Sequence, residues 1–224
     1  MKLLYSIFFL FFIIHFISAC SKPSEENIVQ DNSENPEYYY SQAMIGFENK
    51  NYDLALEIFK DLEIKFPLSS EAVQSQIMSA FIEYIRMNYT EAIFKINRVI
   101  KRYPSYKNID YAYYIKALCY YEQIENEELD GKNNVLALKN FHQIVNRFPE
   151  SKYARDSEQK IISINENIAA KHMNIGLFYL KRKNYFASLN RFKKIIEEYS
   201  QSKFTPEALH RLVEIYNFTL YCND

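Results

Sequence analysis

The chain has 224 residues, a net charge of −1, 48% hydrophobic residues and only 3 glycines; ordinary usage of ~7% would give about 16. Gly46, Gly131 and Gly176 stand far apart, which excludes the clustered glycines of phosphate loops and dinucleotide-binding turns, and the shortage disfavours all-β folds built on tight turns with φ > 0. The near-neutral charge excludes the basic field of a nucleic-acid binder, so no nucleic-acid partner is expected. The 20 Tyr and 17 Phe, with no Trp, partly reflect a composition rich in Ile, Asn and Lys, but their placement still needs a structural account.

Residues 1–19 read as an export leader. Met1-Lys2 is followed by an almost wholly apolar run from Leu3 to Phe16. As a helix that run spans ~21 Å, short of the ~30 Å hydrocarbon core, so it reads as a signal peptide. Ile17-Ser18-Ala19-Cys20 resembles a bacterial lipobox, with Cys20 as the lipidation site carrying diacylglycerol and an N-acyl chain. No other cofactor is expected. Ser21 follows in place of Asp, which points to sorting to the outer membrane. An ordinary secretory signal cleaved nearby is the alternative. Residues 20–36 are polar and aperiodic, a flexible tether with a reach of ~22 Å.

Residues 37–221 repeat. Phe66-Pro67, Tyr103-Pro104 and Phe148-Pro149 recur, with Tyr199-Ser200 as a degenerate fourth. Upstream of them lie Ala55, Phe59 and Leu62; Ala92, Ile96 and Val99; Ala137, Phe141 and Ile144; and Ser188, Phe192 and Ile195. This spacing of i, i+4 and i+7 is the stripe of an amphipathic helix. A second helix follows each aromatic-Pro pair, marked by Ala80 or Ala117. The expected fold is all-α, a tetratricopeptide superhelix of about four and a half to five helix-turn-helix repeats. Ser70, Asp110, Ser151 and Thr205-Pro206 are the expected helix starts. The polar stretch 125–132 predicts an extended loop. Ser151 to Lys183 predicts one long helix of ~50 Å, and Thr205 to Leu220 a last, single helix.

The first helix of each tetratricopeptide pair lines the concave side. Offsets from Ala43, Ala80 and Ala117 place Tyr40, Met44 and Phe47 there, then Ile77, Phe81 and Tyr84, then Tyr111, Tyr114, Leu118 and Tyr121. Tyr combines a large ring with a polar tip and suits contact surfaces. The pattern predicts a groove for an extended, aromatic-bearing peptide; the alternative is that these rings pack neighbouring helices. Residues 181–194 hold six Lys or Arg and no acid. They read either as a solvated face or as a docking face for an acidic partner.

Nothing points to catalysis. His142, His172 and His210 lie in helical repeats away from any Cys, and no HExxH, CxxC or GxSxG occurs. The acidic run Glu125, Glu127, Glu128, Asp130 lacks the alternation of a calcium loop. Neither a catalytic nor a metal site is expected. Cys119 reads as a small buried hydrophobe, and Cys222 lies near the terminus.

The lipobox and tether, with segments 37–72, 108–121 and 178–199 in order, resemble the competence-lipoprotein (ComL, BamD) family of the β-barrel assembly machinery. The resemblance runs from Cys20 to about Leu220. It implies a non-catalytic, lipid-anchored scaffold on the periplasmic face of the outer membrane, aiding the folding and insertion of outer-membrane proteins. It implies docking onto the periplasmic domains of BamA, with Arg182 and Arg191 as the matching positions. It further implies a groove receiving the aromatic-ended C-terminal signals of unfolded outer-membrane proteins. Family members typically carry a further C-terminal helix; this chain stops at Asp224, which leaves contacts with accessory Bam lipoproteins open. The competing reading is a tetratricopeptide pilotin for pili or secretins.

Overall fold

The computed structural model describes residues 35–124 and 131–221. The leader, Cys20, the tether to residue 34, the loop residues 125–130 and Cys222 lie outside the described residues. Among the described residues, every regular element is a helix: α1 (Pro36–Glu48), α2 (Tyr52–Lys65), α3 (Ser70–Ile85), α4 (Tyr89–Arg102), α5 (Ile109–Tyr121), α6 (Lys132–Arg147), α7 (Lys152–Lys181), α8 (Tyr185–Glu198) and α9 (Thr205–Tyr221). Each helix packs on the next in sequence. The first helices of successive hairpins also touch one another, α1 on α3, α3 on α5 and α5 on α7. That is the tetratricopeptide arrangement: four hairpins and a half, with the first helices converging on one side.

The repeat frame is the packing frame. Ala55, Phe59 and Leu62 of α2, Ala92, Ile96 and Val99 of α4, and Ala137, Phe141 and Ile144 of α6 are all fully buried, as are Ser188, Phe192 and Ile195 of α8. Ala43, Ala80 and Ala117 of the facing first helices are buried to the same degree. Small residues at the crossings let paired helices approach, while the larger ones fill the space between hairpins.

Two turn types alternate. At the aromatic-Pro turns, Phe66, Tyr103 and Phe148 cap the second helices with φ of −129°, −129° and −132°. A following Pro excludes the α region for the residue before it, so the helix stops there. Tyr199 ends α8 at φ −128° although Ser200 follows, so the packed ring suffices. The turns inside hairpins are Schellman closures: Asn51 N–H donates to the Gly46 carbonyl, Asn88 to Glu83 and Asn184 to Tyr179. Their left-handed position is filled by Lys50, Met87 and Lys183, with φ of 59°, 62° and 59°. The glycine shortage therefore does not mean an absence of positive φ; three L-residues carry it.

Several helix starts shift. Ser69, not Ser70, caps α3 by accepting from Ala72 N–H. Asn108 precedes α5, and Asp110 sits in its first turn. There it accepts from Tyr111 N–H at 2.8 Å and from the Ser151 hydroxyl at 2.6 Å, clasping two repeats. Ser151 caps α7 as expected. Thr205 opens α9 inside the helix and donates to the Tyr199 carbonyl.

The 30-residue α7 spans ~45 Å. Ala154 and Ile164 join the central core, whereas Ala169 and Met173 join a separate C-terminal core with Phe192, Ile195, Ala208 and Ile215. Gly176 is the point of closest approach in that second core: a Cβ there would stand 2.5 Å from the Phe192 ring. Ser188 donates to the Gly176 carbonyl at 2.8 Å across the same contact.

Candidate functional site: an aromatic groove and a cationic turn

Phe47 on α1, Phe81 and Tyr84 on α3, and Tyr111, Tyr114 and Tyr121 on α5 are all half-buried, one side on the core and the other towards solvent. Their rings form a continuous chain. Phe47 meets Phe81 at 6.0 Å, and Phe81 stacks on Tyr84 at 5.9 Å and meets Tyr111 at 6.0 Å. Tyr111 and Tyr114 both stack on Tyr153 of α7, at 5.2 and 4.9 Å. Tyr114 and Tyr121 rest on the buried Phe141. The two readings of these rings are therefore not exclusive: each packs a neighbouring helix and keeps an accessible edge. Ile77 departs from expectation. It is fully buried, although it holds the same register as the half-buried Tyr40 and Tyr114, three residues before the marker alanine.

Tyr40 lies at one edge. Its ring meets Phe59 at 5.8 Å. It also lines a cleft of about 320 Å³ with Gln74, Tyr106 and Asn108, in which Gln74 accepts from the Tyr106 hydroxyl and the Asn108 amide.

The hydroxyls of Tyr84, Tyr111 and Tyr114 are held neutral. Burial first, then the Glu122 carboxylate that accepts from it, push the Tyr84 phenol up to about 12. Burial and the neighbouring Tyr153 raise Tyr111, while burial and a hydrogen bond to Asp156 raise Tyr114. The floor is thus a set of uncharged rings with polar tips, flanked by Glu122, Asp156 and Lys160. The Lys160 ammonium sits 4.5 Å from the Tyr121 ring centroid. Cys119 lies beneath, fully buried, with its thiol pushed up to about 12 by burial; it is an unreactive packing residue.

The C-terminal candidates sit on separate elements. Arg182 is the exposed C-cap of α7, with its guanidinium 4.3 Å from the centroid of the half-exposed Phe178 ring. Arg191 lies two turns into α8, half-buried, with Nη1 3.4 Å from Nδ1 of the buried His172. The structure does not bring the two arginines into contact. His142 and His210 are exposed. Among the described residues, no cluster of His, Cys, Asp or Glu could hold a metal, and no helix is long and apolar enough to cross a membrane.

The sequence profile of the YfiO outer membrane lipoprotein family matches residues 32–220. The chain belongs to the YfiO family. Among its relatives, the outer membrane protein assembly factor BamD of Rickettsia prowazekii is 37% identical over 177 residues, covering 79% of this chain and 70% of that protein. BamD of Caulobacter vibrioides is 34% identical over 200 residues, covering 89% of this chain and 66% of the relative. BamD of Neisseria gonorrhoeae is 30% identical over 207 residues, covering 86% and 77%.

Within this YfiO-family chain, sequence reasoning missed the α7 wall of the groove: Tyr153, Asp156 and Lys160. The marker alanine of the earlier repeats has no counterpart in α7, where the equivalent position is the exposed Ile162. The aromatic-Pro register would have found the wall. Asp156 lies seven residues past Pro149, as Tyr111 does past Pro104.

Proposed function

We propose that the chain is a non-catalytic scaffold lipoprotein of the β-barrel assembly machinery that aids folding and insertion of outer-membrane proteins. Its relatives, named as outer membrane protein assembly factors, support the setting. The observation that carries the mechanism is the unbroken chain of half-exposed rings over α1, α3, α5 and α7. An unfolded outer-membrane protein segment in extended form presents alternate side chains to one face. Its aromatic residues would slot between these rings, and the neutral tyrosine tips would meet its backbone. Cys20 carries the diacylglycerol and N-acyl chains that hold the protein on the periplasmic face of the outer membrane. Arg182 and Arg191 face the periplasmic domains of BamA.

The deciding experiment pairs Tyr84→Ala with Tyr121→Ala and measures binding of a peptide ending in alternating aromatic residues. Lost binding with helicity retained supports the groove; lost folding leaves the rings as packing alone. Recovery of BamA with the lipidated chain from outer membranes tests the scaffold role, and its absence would defeat it. A Cys20→Ser chain that stays membrane-attached would overturn the anchor.

A further inference from the structure

The turn between α7 and α8 exposes large apolar rings beside cations without acidic partners. Phe186 is 77% exposed and Phe178 is 49% exposed. A solitary exposed ring is ordinary, but these two flank one turn and the Arg182 guanidinium is stacked on one of them. Lys181, Arg182 and Lys183 are all exposed and make no ion pair among the described residues. In residues 181–194 there is no Asp or Glu, and the Lys194–Glu198 ion pair at 3.7 Å lies at the far end of that segment. The turn itself is fixed: Lys183 N–H donates to Leu180, Asn184 N–H to Tyr179, and the Asn184 side chain accepts from Ala187 N–H. The surface is therefore preorganised, so little ordering entropy opposes its docking.

We propose that Phe178 and Phe186 are the apolar anchors of the docking face on which Arg182 lies, and that the partner is a protein surface with an apolar recess rimmed by carboxylates. The inference deepens the docking reading of Arg182 and rests on it. Charge complementarity selects the occupant: three adjacent unpaired cations call for an acidic rim, and Arg can engage a carboxylate bidentately. The Phe178 ring 4.3 Å from the Arg182 guanidinium limits where that side chain can lie and leaves it exposed to such a partner. Aromatic and Arg residues together are the side chains most enriched among interface hot spots.

The test uses the mature chain with Cys20→Ser and the purified periplasmic domains of BamA, measured by calorimetry at low and high salt. Phe186→Ala is expected to weaken binding about 10- to 100-fold, with unchanged circular dichroism because the ring is exposed. Phe186→Leu should recover part of the loss. Phe178→Leu keeps apolar bulk but removes the stacking, and should weaken binding and flatten its salt dependence. Normal binding by Phe186→Ala and Phe178→Leu would overturn the anchors while leaving the docking reading intact. No binding by the unaltered chain would defeat the docking reading itself. A vesicle arm with phosphatidylglycerol separates the other source of negative charge. If Phe186→Ala loses vesicle binding and keeps BamA binding, the occupant is lipid and the proposal falls.

Discussion

The two ends of α7 use the same helical frame in opposite ways. Near its N-terminus, Tyr153 stacks on two rings of α5, Asp156 accepts from Tyr114, and Lys160 lies over Tyr121. Every ring there has a core side and a groove side. Near its C-terminus, Phe178 and the following Phe186 are exposed, and Lys181, Arg182 and Lys183 beside them form no ion pair among the described residues. The first arrangement is a trough of rings with hydroxyl tips; the second is a charged knob. One continuous helix carries both, so on the proposed reading a client segment and a partner subunit would be held at separate places.

The largest break in this comparison should come from Phe141→Ala. That ring is fully buried beneath Tyr114 and Tyr121. Its removal should cost about 3–5 kcal/mol in denaturant unfolding and abolish peptide binding, because the groove loses its floor. Docking of BamA should persist under conditions where the chain still folds.

Gly176→Ala tests the other half. The new Cβ would meet the Phe192 ring at 2.5 Å. Overpacking costs about 1–3 kcal/mol, against a helix-propensity gain of up to about 1 kcal/mol. A net loss of about 1–2 kcal/mol in thermal unfolding is expected, with partner docking affected before peptide binding. A stabilised variant would mean that the α7–α8 contact relaxes freely.

Smaller gains should follow where L-residues hold positive φ. Lys183→Gly and Met87→Gly are each expected to raise stability by about 0.5–1 kcal/mol. The Lys183 variant also removes a cation from the knob, so it should weaken partner binding slightly at low salt and leave peptide affinity unchanged. Denaturant midpoints and salt-dependent binding check the two effects separately.

The smallest effect near neutrality is a pH dependence confined to alkali. The Tyr84 pKa is raised in the folded chain from 10.0 to about 12. Its stabilising contribution is therefore complete below pH 10 and is lost as pH rises through about 12. Absorbance titration of the native chain against Tyr84→Phe should show this phenol ionising late. Ionisation at the ordinary pKa would mean that the Tyr84–Glu122 contact is absent in solution.

The amino-acid order alone determined the periodic parts of this protein. Apolar residues at i, i+4 and i+7, with aromatic-Pro pairs closing each unit, required helices of set length stacked in set register, because each stripe must be buried against the next repeat. Ala55, Phe59 and Leu62 and their counterparts were legible for that reason, as was the long helix from Ser151. Tertiary structure decided what periodicity does not encode. It put Ile77 in the core although the residue holds the register of the half-buried Tyr40 and Tyr114, three positions before the marker alanine. It brought Tyr153, Asp156 and Lys160 onto rings some 40 residues earlier in the chain (|i−j| is 42 for Tyr114 and Asp156). It placed positive φ on Lys50, Met87 and Lys183, where the hairpin closure sets the backbone and the side chain must follow. The few glycines of the sequence are thus a mark of tightly packed helical repeats, and the strain of closing them falls on three ordinary residues.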